Sequence, residues 1–229
     1  VTNTAAALPV KHIHLLQRLF PRARIFSMYG LTECKRCTYL PPEDLARKPE
    51  SVGVAIPNTE LWVVDDEDRR LGPRQVGQLV IRGATVMRGY WEKPEATARR
   101  LRPGPLPGEQ VLYTGDLCFL DEEGYLYFVA RMDDVIKSRG EKVAPKEVES
   151  ALVDVPGVKE AAVVGVPHEV LSEAVKAFVV LEAGARLTPK ELQRECQRRL
   201  EPFKVPSEVE LVAELPRTST GKVRKAGLR

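Results

Sequence analysis

Arg131-Met132-Asp133-Asp134-Val135-Ile136-Lys137-Ser138-Arg139-Gly140-Glu141-Lys142-Val143-Ala144-Pro145 is the stretch on which the chain turns from one pattern to another. Upstream of it, short apolar runs with period-2 patterning are separated by glycine turns, which predicts a β-rich region. Downstream, helical periods alternate with apolar strands. Pro145 has a fixed φ and no N–H, which suits the first turn of a helix, so a helix is predicted from it over 145–153. A domain boundary is therefore expected here, with one domain over 1–132 and a second over 133–229.

On the C-terminal side, 158–166 and 174–181 read as strands, and 209–212 as a last one. Thr188, with Pro189 at the first helical position and Glu191 three residues on, is a capping-box arrangement, so a helix is expected to run to about Leu200. Two helices against a small mixed sheet make a compact α+β domain. On the N-terminal side, Val10, Ile13, Leu16, Leu19 and Phe20 recur at helical spacing, and Pro21 stops that helix. A short strand over 24–28 follows, with Tyr29-Gly30 as the loop after it, and 35–58 is expected to be a long surface connection. Strands at 61–64, 78–82, 111–113, 118–120 and 125–129, a hairpin turn at 121–124 and a short helix over 94–101 suggest a small β-barrel-like or sandwich subdomain. The fold class expected is α/β followed by α+β.

Composition narrows the function. The 229 residues carry a net charge of +3, both signs are interspersed, and no basic stripe is interleaved with aromatics, so nucleic acid is not the expected partner. No apolar run approaches the roughly 18 residues that a membrane helix needs. Val1-Thr2-Asn3-Thr4-Ala5-Ala6-Ala7 has neither the basic start nor the long apolar region of a secretory signal. Cys34 and Cys37 have CxxC spacing, but a structural zinc site needs a second pair, and the chain has none. Four sparse cysteines read as reduced thiols, and the expected compartment is cytoplasmic.

Three further segments bear on chemistry. Leu215-Pro216-Arg217-Thr218-Ser219-Thr220-Gly221-Lys222-Val223-Arg224 places a lysine on a loop that proline, glycine and hydroxyl residues keep irregular. An ammonium on four methylenes can reach from such a loop into a cleft, where a point charge suits a phosphate or a carboxylate. It is no P-loop: no glycine stands five residues before Gly221, and Val223 replaces the Ser or Thr. Tyr29-Gly30-Leu31-Thr32-Glu33 puts a hydroxyl and a carboxylate beside the carboxyl end of a strand, where α/β sheets bind ligands. In Tyr113-Thr114-Gly115-Asp116-Leu117, the two oxygens of Asp116 suit adjacent ribose hydroxyls. Tyr29 offers an aromatic face for adenine, Glu33 an oxygen ligand for Mg²⁺, and Arg131 a forked donor for ribose or phosphate. Read singly, these are a core tyrosine, loop charges and solvated lysines.

Together, and in their order along the chain, the four segments resemble the adenylate-forming superfamily, which includes acyl-CoA synthetases, luciferase and peptide-synthetase adenylation domains. The resemblance covers essentially the whole chain. It implies an AMP-forming acid–thiol ligase. ATP and Mg²⁺ would convert a carboxylic acid, expected to be a fatty acid, into an acyl-adenylate, and CoA would take the acyl group. A carrier-protein phosphopantetheine is the alternative acceptor, and a non-catalytic nucleotide- or partner-binding module the alternative of another class. Thr32, Glu33, Lys137 and Lys222 are the catalytic residues so implied. Tyr29, Gly30, Thr32, Asp116 and Arg131 are implied to bind the nucleotide, and Asp133 to be the hinge of a mobile C-terminal domain. Ser138-Arg139-Gly140 would be the loop that meets the thiol. Ala6 and Ala7 would line the acyl pocket. Ala130 departs from the glycine common in the family, at the cost of one methyl. The family's upstream Ser/Thr/Gly-rich phosphate loop is absent from these residues. The chain is therefore expected to be the C-terminal portion of a longer enzyme, inactive by itself.

Overall fold

The computed structural model describes residues 1–3, 8–218 and 221–228, and the chain divides into two compact units, Val1–Met132 and Asp133–Arg229. The first unit opens with β1 (Thr2–Asn3), α1 (Val10–Leu19), β2 (Phe26–Leu31), β3 (Cys34–Leu40) and β4 (Val54–Ala55). These strands form one sheet in that order, with β1 parallel to β2 and the rest antiparallel. The helix is the crossover of the parallel pair. It buries Ile13 against Ile25, Leu40, Leu45 and Tyr125.

Two expectations are corrected here. Tyr29 and Gly30 do not form a loop; they lie inside β2, and the loop is the Thr32-Glu33 turn beyond it. Nor is 35–58 a mere connection, because all of β3 but its first residue, and the whole of β4, lie within it. Cys34, Cys37, Thr38 and Leu40 of β3 are buried, whereas Lys35 and Arg36 face solvent. That pattern breaks the period of two at Arg36, whose φ of 63° bends the strand. Alternation alone could not reveal it.

A second sheet comprises β5 (Thr59–Val64), β6 (Gly77–Gly83), β7 (Leu101–Pro103), β8 (Gln110–Leu120) and β9 (Leu126–Arg131), with α2 (Pro94–Arg100) before β7. What read as two strands at 111–113 and 118–120 is the single eleven-residue β8. One edge of β8 carries β6; the other carries β7 and then β9. The sheet is open, which corrects the β-barrel-like expectation. The outer edge of β9 is occupied by the segment before β4: Val52 N donates to Leu126 O at 2.9 Å, and Leu126 N to Gly53 O at 2.8 Å. That edge joins the first sheet instead of closing on β5, which satisfies its backbone groups without a barrel.

The second unit contains β10 (Ile136–Ser138), β11 (Glu141–Val143), α3 (Pro145–Val153), β12 (Val158–His168), β13 (Ser172–Leu181), α4 (Pro189–Arg199) and β14 (Glu208–Leu211). Its sheet runs β11-β10-β13-β12, with β14 added parallel to β13. The capping box at α4 is complete: Thr188 Oγ1 accepts from Glu191 N, and Glu191 Oε2 accepts from Thr188 N. On one face of the sheet Val163, Val175, Ala177 and Val179 pack with Val148 and Leu152 of α3 and Leu192 and Cys196 of α4. On the other face Ala162, Val164, Phe178 and Val180 pack with Leu215, and Val212, Val223 and Leu228 close over them. Both faces are covered, so β12 and β13 read as continuous apolar runs.

Candidate active site

In the first unit, the residues singled out above gather around two carboxylates. Asp116 lies on β8 and is buried; its Oδ2 accepts a 2.5 Å hydrogen bond from the Tyr29 hydroxyl on β2. Its Oδ1 is 3.9 Å from Nε of Arg131, the residue facing it across the β8–β9 pair. Burial raises the Asp116 carboxyl above the ordinary carboxylate range, outweighing the downward pull of Tyr29 and Arg131. Burial, then the Asp116 charge, pushes the Tyr29 phenol up as well. The Tyr29 ring packs on the core that holds Cys34, Cys37 and Leu112, 6.4 Å from the Phe128 ring.

Two glycines permit this arrangement. A Cβ on Gly30 would stand 2.6 Å from Arg36 N, so the backbones of β2 and β3 could not approach as they do. Gly115 has φ +74°, and a Cβ there would meet Nη1 of Arg100 at 2.1 Å. That same Nη1 donates to Thr114 O at 2.8 Å, which seats the guanidinium against the turn that presents Asp116.

Thr32 and Glu33 form the turn between β2 and β3; Thr32 is exposed, Glu33 half-buried. The Glu33 backbone is held by Met87 N, which donates to its carbonyl at 2.8 Å. Its Oε1 accepts a short hydrogen bond from the Tyr90 hydroxyl. Tyr90 belongs to none of the four segments, and its local marks in the sequence are Gly89 before it and the Pro94 helix after it. Among the described residues no group of three or more His, Cys, Asp or Glu side chains could hold a metal ion. Mg²⁺ commonly binds through one or two carboxylates, with substrate phosphates and waters completing its octahedron. Glu33 fits that use as a single oxygen ligand to a nucleotide-borne ion.

In the second unit, β10 and β11 form a hairpin joined by Arg139 and Gly140 alone. Both have positive φ, 56° and 81°, as a two-residue type I′ turn requires. The loop expected over Ser138-Arg139-Gly140 is therefore shorter: Ser138 is buried and paired within β10. Arg139 also borders a cavity of about 500 Å³, lined further by Gln193, Gln197, Leu200 and Ser207. Lys137 is exposed on β10, its backbone N–H donating to Glu173 Oε2 at 2.7 Å.

Lys222 lies on a second tight turn. Thr218 N donates to Lys222 O at 2.8 Å, Lys222 N to Thr218 Oγ1 at 3.2 Å, and Gly221 N to Thr218 O at 2.9 Å. Arg217 pairs across it with Val223 and forms an ion pair with Glu160 of β12. Leu215 and Val223 dock the turn on the sheet, and Lys222 stays exposed. Neither Lys137 nor Lys222 makes an ion pair among the described residues. Asp133 is exposed in a 3₁₀ turn, Met132–Asp134, at the boundary of the two units. Ala6 and Ala7 lie outside the described residues. All four cysteines are free and buried; a hydrogen bond from Cys37 holds the Cys34 thiol below the ordinary range.

Two family models match this chain: the AMP-binding enzyme over residues 1–91 and the AMP-binding enzyme C-terminal domain over residues 147–222. The chain belongs to the adenylate-forming, AMP-binding enzymes. It is 42% identical over 201 residues, 88% of this chain and 35% of the relative, to a long-chain-fatty-acid–CoA ligase of Escherichia coli O157:H7. To the ligase of that name in Bacillus subtilis it is 37% identical over 225 residues, 98% of this chain and 39% of the relative. The crystal structure of ATP-bound MatB from Rhodopseudomonas palustris superimposes with a TM-score of 0.91 at 34% identity, covering 100% of this chain and 44% of that one. The chain thus spans little more than a third of the length of these curated relatives.

Proposed function

We propose that this chain belongs to an AMP-forming acid–CoA ligase whose substrate is a fatty acid. The observation that best supports this is the pair of carboxylates held apart in role. Asp116 is buried, with a tyrosine on one oxygen and an arginine beside the other. Glu33 is half-buried on the turn after β2, with its Oε2 unengaged among the described residues. A buried acceptor beside a forked cation suits ribose hydroxyls; a turn carboxylate beside a hydroxyl suits phosphate and its cation. The fatty-acid assignment rests on the names of the relatives, and the solved neighbours also include an amide bond synthetase.

In the first half-reaction a carboxylate oxygen attacks the α-phosphorus, the bond to the β-phosphate oxygen breaks, and pyrophosphate leaves. Two anions approach each other, so cations and donors must face the α-phosphate. Thr32 donates its hydroxyl there, and Lys222 brings its ammonium to the developing charge. Mg²⁺, ligated by Glu33, would neutralise phosphate charge. In the second half-reaction the thiol gives up its proton to solvent, its sulfur adds to the acyl carbon, the carbon–oxygen bond to AMP breaks, and AMP leaves. Lys137 and the Arg139-Gly140 turn serve this step, and the cavity beside Arg139 gives a phosphate-bearing acceptor room. Asp133 is the hinge between the two steps.

The test uses the full-length protein that carries this chain: pyrophosphate exchange into ATP driven by a long-chain fatty acid, then thioester formation with CoA. Exchange without thioester would move the acceptor to a carrier protein or an amine. No exchange with any carboxylic acid would sink the reading.

A further inference from the structure

The feature that the proposed roles leave unexplained is Tyr90. It sits 57 residues from Glu33 in sequence, yet its hydroxyl is bound to the Glu33 carboxylate. The tyrosine is itself held. Its backbone N–H donates to Thr97 Oγ1 at 2.9 Å, and the Thr97 hydroxyl donates to Lys93 O at 2.9 Å, a contact between α2 and the residue before it. Thr97 also packs over Gly89, where a Cβ would stand 2.9 Å from its Cγ2. At its other end α2 carries Arg100, which is bonded to Thr114 O beside Asp116.

One short helix thus reaches both carboxylates, gripping the tyrosine that holds Glu33 and ending in the arginine that seats the Asp116 turn. A turn glutamate with free rotamers would lose entropy each time it bound a cation. A phenol donating to Oε1 removes that freedom in advance and leaves Oε2 directed elsewhere. Outer partners of a ligating carboxylate act in this way.

We propose that Tyr90, braced by Thr97, is a positioning residue that presents the Glu33 carboxylate to the nucleotide-borne divalent cation. This rests on the function proposed above, and the experiment separates the two. In the full-length protein, Tyr90→Phe removes one oxygen and keeps the ring. Mn²⁺ binding, followed by its electron-spin resonance signal in the presence of a non-hydrolysable ATP analogue, is expected to weaken by about tenfold, the usual scale for losing an outer-shell partner. The Mg²⁺ concentration that half-saturates pyrophosphate exchange should rise in parallel, while thiol transfer from preformed acyl-adenylate stays within about twofold of the parent protein. Thr97→Val, which loosens the brace without touching Glu33, should give a smaller shift of the same kind and serves if Tyr90→Phe does not fold. Unchanged Mn²⁺ affinity and Mg²⁺ dependence in a folded variant would overturn the proposal. So would equal losses in both half-reactions, which mark a general structural defect. If the parent protein shows no exchange, the functional reading fails, and this inference fails with it.

Discussion

At the scale of single residues, burial divides the charged groups into two kinds. Lys222 is exposed and makes no ion pair among the described residues, so removing it should cost the fold nothing. Lys222→Ala in the full-length protein is expected to slow acyl-adenylate formation about a hundredfold, the scale of losing one preorganised transition-state donor, roughly 3 kcal/mol. Thiol transfer from preformed acyl-adenylate should be spared. Stopped-flow measurement of each half-reaction checks this, and equal loss in both steps would remove the division of labour between Lys222 and Lys137. Asp116 is the opposite case. Its pKa is raised in the fold by burial, so the stability it contributes is complete below the unfolded carboxyl pKa and is lost as pH rises through the folded value. A neutral amide avoids that loss and can still accept from Tyr29. Asp116→Asn should therefore be at least as stable as the parent at pH 7 by thermal denaturation, yet bind ATP about tenfold or more weakly by calorimetry. A variant that loses stability together with affinity would show that the charge itself holds the fold.

At the scale of elements, local signals and long-range packing divide the credit. Thr188, Pro189 and Glu191 specify the start of α4 by their own hydrogen bonds, and both halves of the box form. Thr188→Ala should cost about 1 kcal/mol, read as a lower denaturant midpoint with an unchanged slope. Pro145 likewise opens α3 where the sequence places it. The β10–β11 hairpin was not legible as strands, because each is three residues long and carries charges. Its turn is fixed by Arg139 and Gly140 at positive φ, a geometry that Arg139 adopts only because pairing on both sides determines it. β3 escaped the sequence reading for a related reason: Arg36 breaks the alternation, and the residues that follow the strand are prolines.

At the scale of the whole molecule, each unit has its own core. Arg131, Met132 and Asp133, at the boundary, are exposed. Brief trypsin treatment is expected to cut after Arg131 before it cuts within β8 or β12, and to leave two fragments that keep their own secondary structure by circular dichroism. Uniform resistance at the boundary would remove the hinge assigned to Asp133.

The sequence by itself determined the family, through four short segments in order. It also determined the helices and apolar strands of the second unit, because caps, prolines and hydrophobic periods act over a few residues. Which hydroxyl meets which carboxylate was decided only in three dimensions. Tyr29 and Asp116 are 87 residues apart, and Tyr90 and Glu33 57. Each pair meets because separate strands and a helix are packed to a common register, and nothing in the spacing of the letters carries that register. The same holds for the open second sheet: period-2 strands predict a sheet, but only the bonds between Leu126 and the Val52-Gly53 segment decide that its edge joins a neighbour instead of closing on itself.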